Sequence, residues 1–182
     1  MDSTVREARD AYLAENGFTV DEYDAKWTKA SFFGIRFAVL NTRRHRVGIM
    51  LHDLHHVATG FGTDLAGEGE ISMWEARGGL AALGPYVGGI VASGSLLGLL
   101  VAPRRAIRAF RAARGASLFP LCRLPKNEFD ARYEELLAMS VAELRRMLEV
   151  PASGVADRPR KLHAYAPRPA ADRQVHQAHA AH

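Results

Sequence analysis

At 182 residues, 48% of them apolar, and with a net charge of +4, the chain has material for one sizeable core, and nothing in these totals calls for a nucleic-acid partner. Its single cysteine, Cys122, excludes an internal disulfide and fits a reducing compartment. The acidic opening "MDSTVREARDAYLAENGF" has no apolar core followed by a small-residue cleavage site, so no secretory signal is expected.

Helices are predicted nearly throughout. From Thr4 to about Glu15, Val5, Ala8, Tyr12 and Leu13 recur at helical spacing, and Asn16-Gly17 supplies the stop. A second acidic stretch, "DEYDAKWTKASFF", leads into a segment whose Val47, Met50, Leu51, Leu54 and Ala58 form an apolar stripe, with Gly60 as a natural C-cap. After the turn "FGT", Asp64 can cap a helix that begins "LAGEGEISMWEARGG". No apolar/polar alternation bounded by hairpin turns is visible, so no sheet is expected.

Residues 78 to 103 contain no charged side chain, which meets the length criterion for a transmembrane helix of about 20 apolar residues. Seven glycines and Pro85 interrupt the segment. The spacings Gly84 to Gly88 and Gly94 to Gly98 put small residues on one face, which allows close helix packing in lipid or in a protein core. A span, a re-entrant or buried hairpin, and a wall of an apolar ligand tunnel all fit. The run Arg104, Arg105, Arg108, Arg111 and Arg114 that follows suits a membrane surface, an anionic head group or a solvated helix face.

From Asn127, Phe129, Tyr133, Leu136 and Leu137 mark an amphipathic helix, and Leu144, Met147 and Leu148 mark another behind a Ser140 cap, ended by Pro151. Residues 1–150 are read as one helical domain. Residues 151–182, rich in Ala, Pro, Arg and His, are read as a disordered tail whose His163, His176, His179 and His182 amount to an adventitious metal binder.

The chemistry concentrates in "HDLHHVATGFGTDLAGE", residues 52–68. At about 100° per residue, His52 and His56 point within about 40° of each other and Asp53 falls in the same arc, whereas His55 falls on the other side of His52. His56 precedes Gly60 by four residues and Glu68 follows Asp64 by four, so an antiparallel hairpin sets both about 6 Å from the turn. Two imidazoles and two carboxylates converging on facing helices suit a divalent cation: zinc first, with iron or manganese as alternatives. The competing structural reading has Asp64 and Glu68 capping the second helix while His52 and His56 hydrogen-bond in the core. Burying several ionisable groups without a cation is costly.

The pattern His52-Asp53, two residues, His56, eleven residues, Glu68 resembles the metal-binding signature of the fourth Coq protein family of ubiquinone biosynthesis. Thr59-Gly60 and Gly67-Glu68 stand where that family has a Thr-Gly turn and a Gly-Glu step, and Trp74-Glu75 resembles its following aromatic-Glu step. More loosely, the likeness runs from about residue 40 to residue 150. It implies an all-α fold, a compact multi-helix bundle with the metal in the helix-turn-helix hairpin, held by His52, Asp53, His56 and Glu68, and an apolar cavity for a polyprenyl chain. It also implies a membrane surface and other quinone-biosynthesis proteins as partners. Family members have been assigned a scaffolding role, and also decarboxylation and hydroxylation at the ring carbon that bears the precursor's carboxylate.

Expected, then, is a metal-dependent protein that binds a prenylated aromatic precursor at the cytoplasmic face of a membrane, as a homo-oligomer. Asp53 and Glu68 are its candidate catalytic carboxylates, and Arg104, Arg105 and Arg108 could hold an anionic ring substituent or lipid phosphates. Three rivals compete. In a zinc hydrolase, "HDLHH" would replace the helical His-Glu-x-x-His motif with Asp53 as general base and Glu68 as third ligand, although the shorter Asp reaches less far toward a metal-bound water. In a nucleotide phosphohydrolase, His52-Asp53 would need an upstream histidine, and His45 lies only seven residues before. In a non-catalytic isoprenoid-lipid carrier or scaffold, the metal would be structural.

Overall fold

A computed structural model describes residues 3–32 and 35–156, with the backbone alone for residues 28–38. Among these residues the fold is all-α apart from one hairpin. Helix α1, Val5–Glu15, opens on a reciprocal cap in which the Thr4 hydroxyl accepts from the Glu7 N–H and the Glu7 carboxylate accepts from the Thr4 N–H. A 3-10 helix, Val20–Asp24, then leads to strands β1, Trp27–Phe32, and β2, Ile35–Leu40.

The strands pair antiparallel, with Trp27 opposite Leu40 and Phe32 opposite Ile35, against the expectation that no sheet forms. Only Arg36 breaks the apolar run of β2, so the two-residue period that announces a half-buried strand is faint there. What remains is a local bias toward aromatic and β-branched residues, which pairing between strands satisfies and a helix does not.

The helical hairpin that carries residues 52–68 follows. Helix α2, Arg43–Thr59, starts at a Thr42 cap and stops at Gly60, whose φ of 79° needs a residue without a side chain. Helix α3, Leu65–Gly78, starts where Asp64 accepts from the Gly67 N–H. A Cβ on Gly67 would run into the Gly62 carbonyl, so glycine there lets the turn close tightly against α3.

Helix α4, Gly84–Val101, and helix α5, Pro103–Ala112, pack on α3. Where α3 and α4 cross, Gly69 and Gly98 bring the two backbones together: a Cβ on Gly98 would lie 2.7 Å from the Gly69 Cα. Gly94, one turn earlier on α4, sits against Ser72. The small-residue spacing thus serves packing inside the fold.

Helices α6, Lys126–Ala138, and α7, Val141–Met147, close the bundle, with Ser140 and Glu143 repeating the reciprocal cap. The core joins Val5 and Leu13 of α1, Leu51 and Leu54 of α2, Ile71 and Trp74 of α3, and Phe129, Leu136 and Leu144 of α6 and α7. Residues 151–156, read above as the start of a tail, return to α2: the N–H groups of Val155 and Ala156 donate to the Thr59 carbonyl at 2.8 and 3.1 Å. The remainder of that tail, with its four histidines, lies outside the described residues.

Candidate metal centre

Three of the four residues expected as ligands converge. His52, His56 and Glu68 each offer one donor atom, all within 4.8 Å of one another, a group that could hold a metal ion. The two Nε2 atoms are 3.1 Å apart, and the Glu68 oxygens lie 3.5 Å from His52 Nε2 and 3.6 Å from His56 Nε2. For metal–ligand bonds of about 2.1 Å, neighbouring donors fall about 3.0 Å apart at 90° and about 3.4 Å apart at 109°. The separation of the two nitrogens falls between these edges, and one Glu68 oxygen lies near each ring at slightly more than the longer edge.

The far sides of the rings fix which nitrogen carries the proton. His56 Nδ1 lies 3.1 Å from the Phe61 carbonyl, which can only accept, so Nδ1–H donates and Nε2 is the nitrogen turned toward the group. His52 Nδ1 lies 2.8 Å from Glu75 Oε1 and is likewise the donor. At 3.1 Å the two Nε2 atoms need a shared proton or a metal between them. Burial alone would lower the basicity of His52, but Glu75 and Glu68 hold its ring well above the ordinary histidine value, so without metal it keeps a proton to donate to His56. Burial would likewise raise both carboxyls; instead His56 and His52 hold Glu68 below the ordinary carboxylate range, and His52 and His55 hold Glu75 down at about 2. Both carboxylates are therefore charged at neutral pH, and a divalent cation that displaced the His52 proton would meet two imidazole nitrogens and the Glu68 carboxylate, with the Glu75 charge behind them.

Asp53 stands beside this group and not in it. Its Oδ2 accepts a hydrogen bond from the Tyr23 hydroxyl, delivered by the 3-10 helix that packs over α2. Burial, then the Asp53 charge, push the Tyr23 phenol far above its ordinary value and keep it the donor. The helical arc could rank Asp53 with His52 and His56, but nothing local says that a tyrosine thirty residues earlier arrives on that side.

Sequence reasoning missed Glu75 and placed His55 too simply. Glu75 follows Glu68 by seven residues, about 20° away on the same stripe of α3, and that spacing was a usable signal. His55 does stay out of the donor group, but its Nδ1 donates to Glu75 Oε1 at 2.8 Å while its Nε2 accepts from the Leu118 N–H at 3.0 Å. The surroundings are aromatic: Tyr12 stacks on His56 with centroids 5.3 Å apart, and Trp74 and Phe119 flank His55. Glu68 and His52 keep side-chain exposures of 39% and 23%, against 0% for His56, so the group is reached from the Glu68 side.

The arginines are not brought to the histidines. Arg105 donates to Glu70 at 2.6 Å, and Glu70 lies about 200° round α3 from Glu68, so α5 packs across α3 from the donor group. Arg104 and Arg108 are exposed on α5. His45 bonds Asn41 in the first turn of α2 and does not join the group. An open groove of about 550 Å³, lined among others by Leu40, Arg43, Arg44, Leu83 and Tyr86, lies at the other end of α2, about 18 Å of helix from His56.

No family model, curated protein or solved structure matches the chain. One described helical segment, Ala81–Val101, is long and apolar enough to cross a membrane by length and composition, and 28% of its most apolar window is buried in the fold.

Proposed function

We propose that the protein is a metal-dependent component of ubiquinone or related prenyl-quinone biosynthesis, of the kind the fourth Coq protein family represents, which binds a prenylated aromatic precursor and assists its decarboxylation and hydroxylation. The observation that carries this reading is the set of donor separations, 3.1, 3.5 and 3.6 Å among His52, His56 and Glu68, with the outer nitrogen of each ring held by an acceptor so that both Nε2 atoms face the group. These three residues would hold the metal, zinc first and iron or manganese as alternatives. When bound, the metal supplies a Lewis acid for a substrate carboxylate or phenolate and, as iron, access to oxygen chemistry.

The chain's own part is positional. Glu75 and the Phe61 carbonyl aim the two rings, and Glu68 completes the set on its accessible side. Asp53, tied to Tyr23, is the proposed proton acceptor for a bound phenol. The protein is proposed to sit at the cytoplasmic face of a membrane, alongside other quinone-biosynthesis proteins and a second copy of itself. There α4 would lie in the plane of the bilayer, because its inward side is committed to α3 and α5, which carry the Glu70–Arg105 pair. Its outward Ile90, Leu96, Leu99, Leu100 and Val101 would meet acyl chains, with Arg104 and Arg111 facing lipid phosphates.

The outward apolar face also favours a second reading, a non-catalytic isoprenoid-lipid scaffold with a structural metal. Turnover of a carboxylated prenyl-phenol separates the two. The catalytic reading expects product that disappears in His52→Ala and Glu68→Ala while helicity is kept, and retained turnover in those variants sinks it. Organic extraction of the purified protein followed by mass spectrometry adds the ligand. A prenylated ring supports the quinone reading, and a prenyl phosphate or phospholipid alone supports carriage.

A further inference from the structure

The carboxylate of Glu75 never reaches the donor group, yet more of the local geometry converges on it than on any ligand. It is fully buried in α3, and a single oxygen, Oε1, accepts from His52 Nδ1 and from His55 Nδ1, each at 2.8 Å. The other oxygen, Oε2, is buried without a hydrogen-bond partner. A carboxylate kept only for stability would be expected to bond both oxygens, since a bare buried acceptor carries a desolvation cost. Here both donors fall on one oxygen, and that oxygen sets the orientation and tautomer of two rings together.

His55 cannot reverse its part. Its Nε2 accepts from the Leu118 N–H at 3.0 Å, a backbone donor with no alternative role, and Trp74 and Phe119 hold the ring face and edge. An ordered line therefore runs from the Leu118 backbone through His55 and Glu75 to His52, and ends at the Nε2 atom that faces His56 and Glu68.

Resting on the metal reading above, we infer that Glu75 is a positioning residue of the metal centre, holding His52 in the metal-binding tautomer, and that His55 anchors Glu75 to the backbone at Leu118. A carboxylate that accepts the outer N–H of a ligating histidine also raises the donor strength of the inner nitrogen. Loss of such a partner weakens metal binding by about 10- to 100-fold.

The test compares the wild-type chain with Glu75→Gln, which keeps the shape and an acceptor oxygen and removes the charge, both carrying His163→Ala, His176→Ala, His179→Ala and His182→Ala so that only the hairpin histidines take metal. Zn²⁺ affinity is read by competition with a chromophoric chelator, ring geometry by the visible bands of the Co²⁺-loaded protein, and folding by the thermal midpoint without metal. Expected are one Zn²⁺ per wild-type chain, about 10- to 100-fold weaker binding in Glu75→Gln, shifted Co²⁺ bands, and a metal-free midpoint close to the wild type's. Equal affinity and unchanged bands in Glu75→Gln overturn the inference and leave the metal centre standing. A wild-type chain that takes up no Zn²⁺ overturns the metal reading and this inference with it. Should Glu75→Gln not fold, His55→Gln cuts the same line on the side away from the metal: weaker Zn²⁺ binding with shifted bands supports the anchoring role, and unchanged values overturn it.

Discussion

The α2–α3 hairpin and the outward side of α4 invert the usual partition of side chains in opposite directions. In the hairpin, His55, His56 and Glu75 are shut away from water. On α4, Leu96 and Leu100 are 61% and 74% exposed. The first inversion is resolved inside the chain, because the imidazoles and Glu75 hydrogen-bond one another and lack only a cation at the point where His52, His56 and Glu68 meet. Nothing among the described residues covers the second. α3 takes part in both: the stripe carrying Glu68 and Glu75 faces the histidines, while Gly69 and Ser72 give α4 a surface almost without side chains.

The largest expected effect breaks the comparison on the hairpin side. A cation bound at 1,000 times its dissociation constant stabilises the fold by about 4 kcal/mol. In a chain of this size each kcal/mol moves the thermal midpoint by about 2–4 °C. Calorimetry with Zn²⁺ and then with chelator, on protein trimmed of its histidine-rich tail, should show a difference of about 10 °C. His56→Ala should abolish it. Binding must displace the proton that Glu75 and Glu68 help His52 to keep, so the apparent affinity should fall as the pH is lowered.

A smaller effect tests the element the two regions share. Gly98→Val puts a branched side chain where the α3 backbone already lies, at a point where even a Cβ comes within 2.7 Å of the Gly69 Cα. The expected loss is about 1–3 kcal/mol in denaturant midpoint. Gly69 adjoins Glu68, so Zn²⁺ affinity should weaken with it. Gly89→Val, at a glycine of α4 with open space around it, is the control and should leave Zn²⁺ affinity unchanged.

These two regions also differ in how far the sequence announces them. The donor group follows from local geometry: the Gly60 stop and the Asp64 cap, both found where expected, set Glu68 level with His56. Glu75 obeys the same arithmetic, seven residues beyond Glu68, but lacks the histidine neighbours that drew attention to residues 52–68. Asp53 was misjudged because its partner, Tyr23, comes from a segment whose packing direction no local pattern encodes. The hairpin of β1 and β2 escaped for a related reason, since its strands are specified by pairing with each other more than by an alternating face. Residues 78–103 carry no charge in sequence, and length and composition say nothing of what the segment packs on; the glycine contacts show that one side of α4 lies against α3.

The smallest effect on stability sharpens the comparison most. Replacing Leu96 and Leu100 together by Ser removes two side chains that the fold scarcely covers, so each change should cost within about 0.5 kcal/mol. If α4 rests in a bilayer, the same two side chains contribute about 1.5–3 kcal/mol each on full burial, and their loss should reduce partitioning onto anionic vesicles by about 100-fold or more. Flotation with vesicles containing phosphatidylglycerol, beside a urea titration of the same double variant, reads both quantities. A large loss of flotation with an unmoved urea midpoint identifies the outward face as a contact surface that folding does not use. Flotation that survives the double substitution removes the membrane from α4. If the variant instead changes only the sedimentation coefficient at high concentration, the face belongs to a second copy of the chain, and the exposed leucines are resolved by self-association.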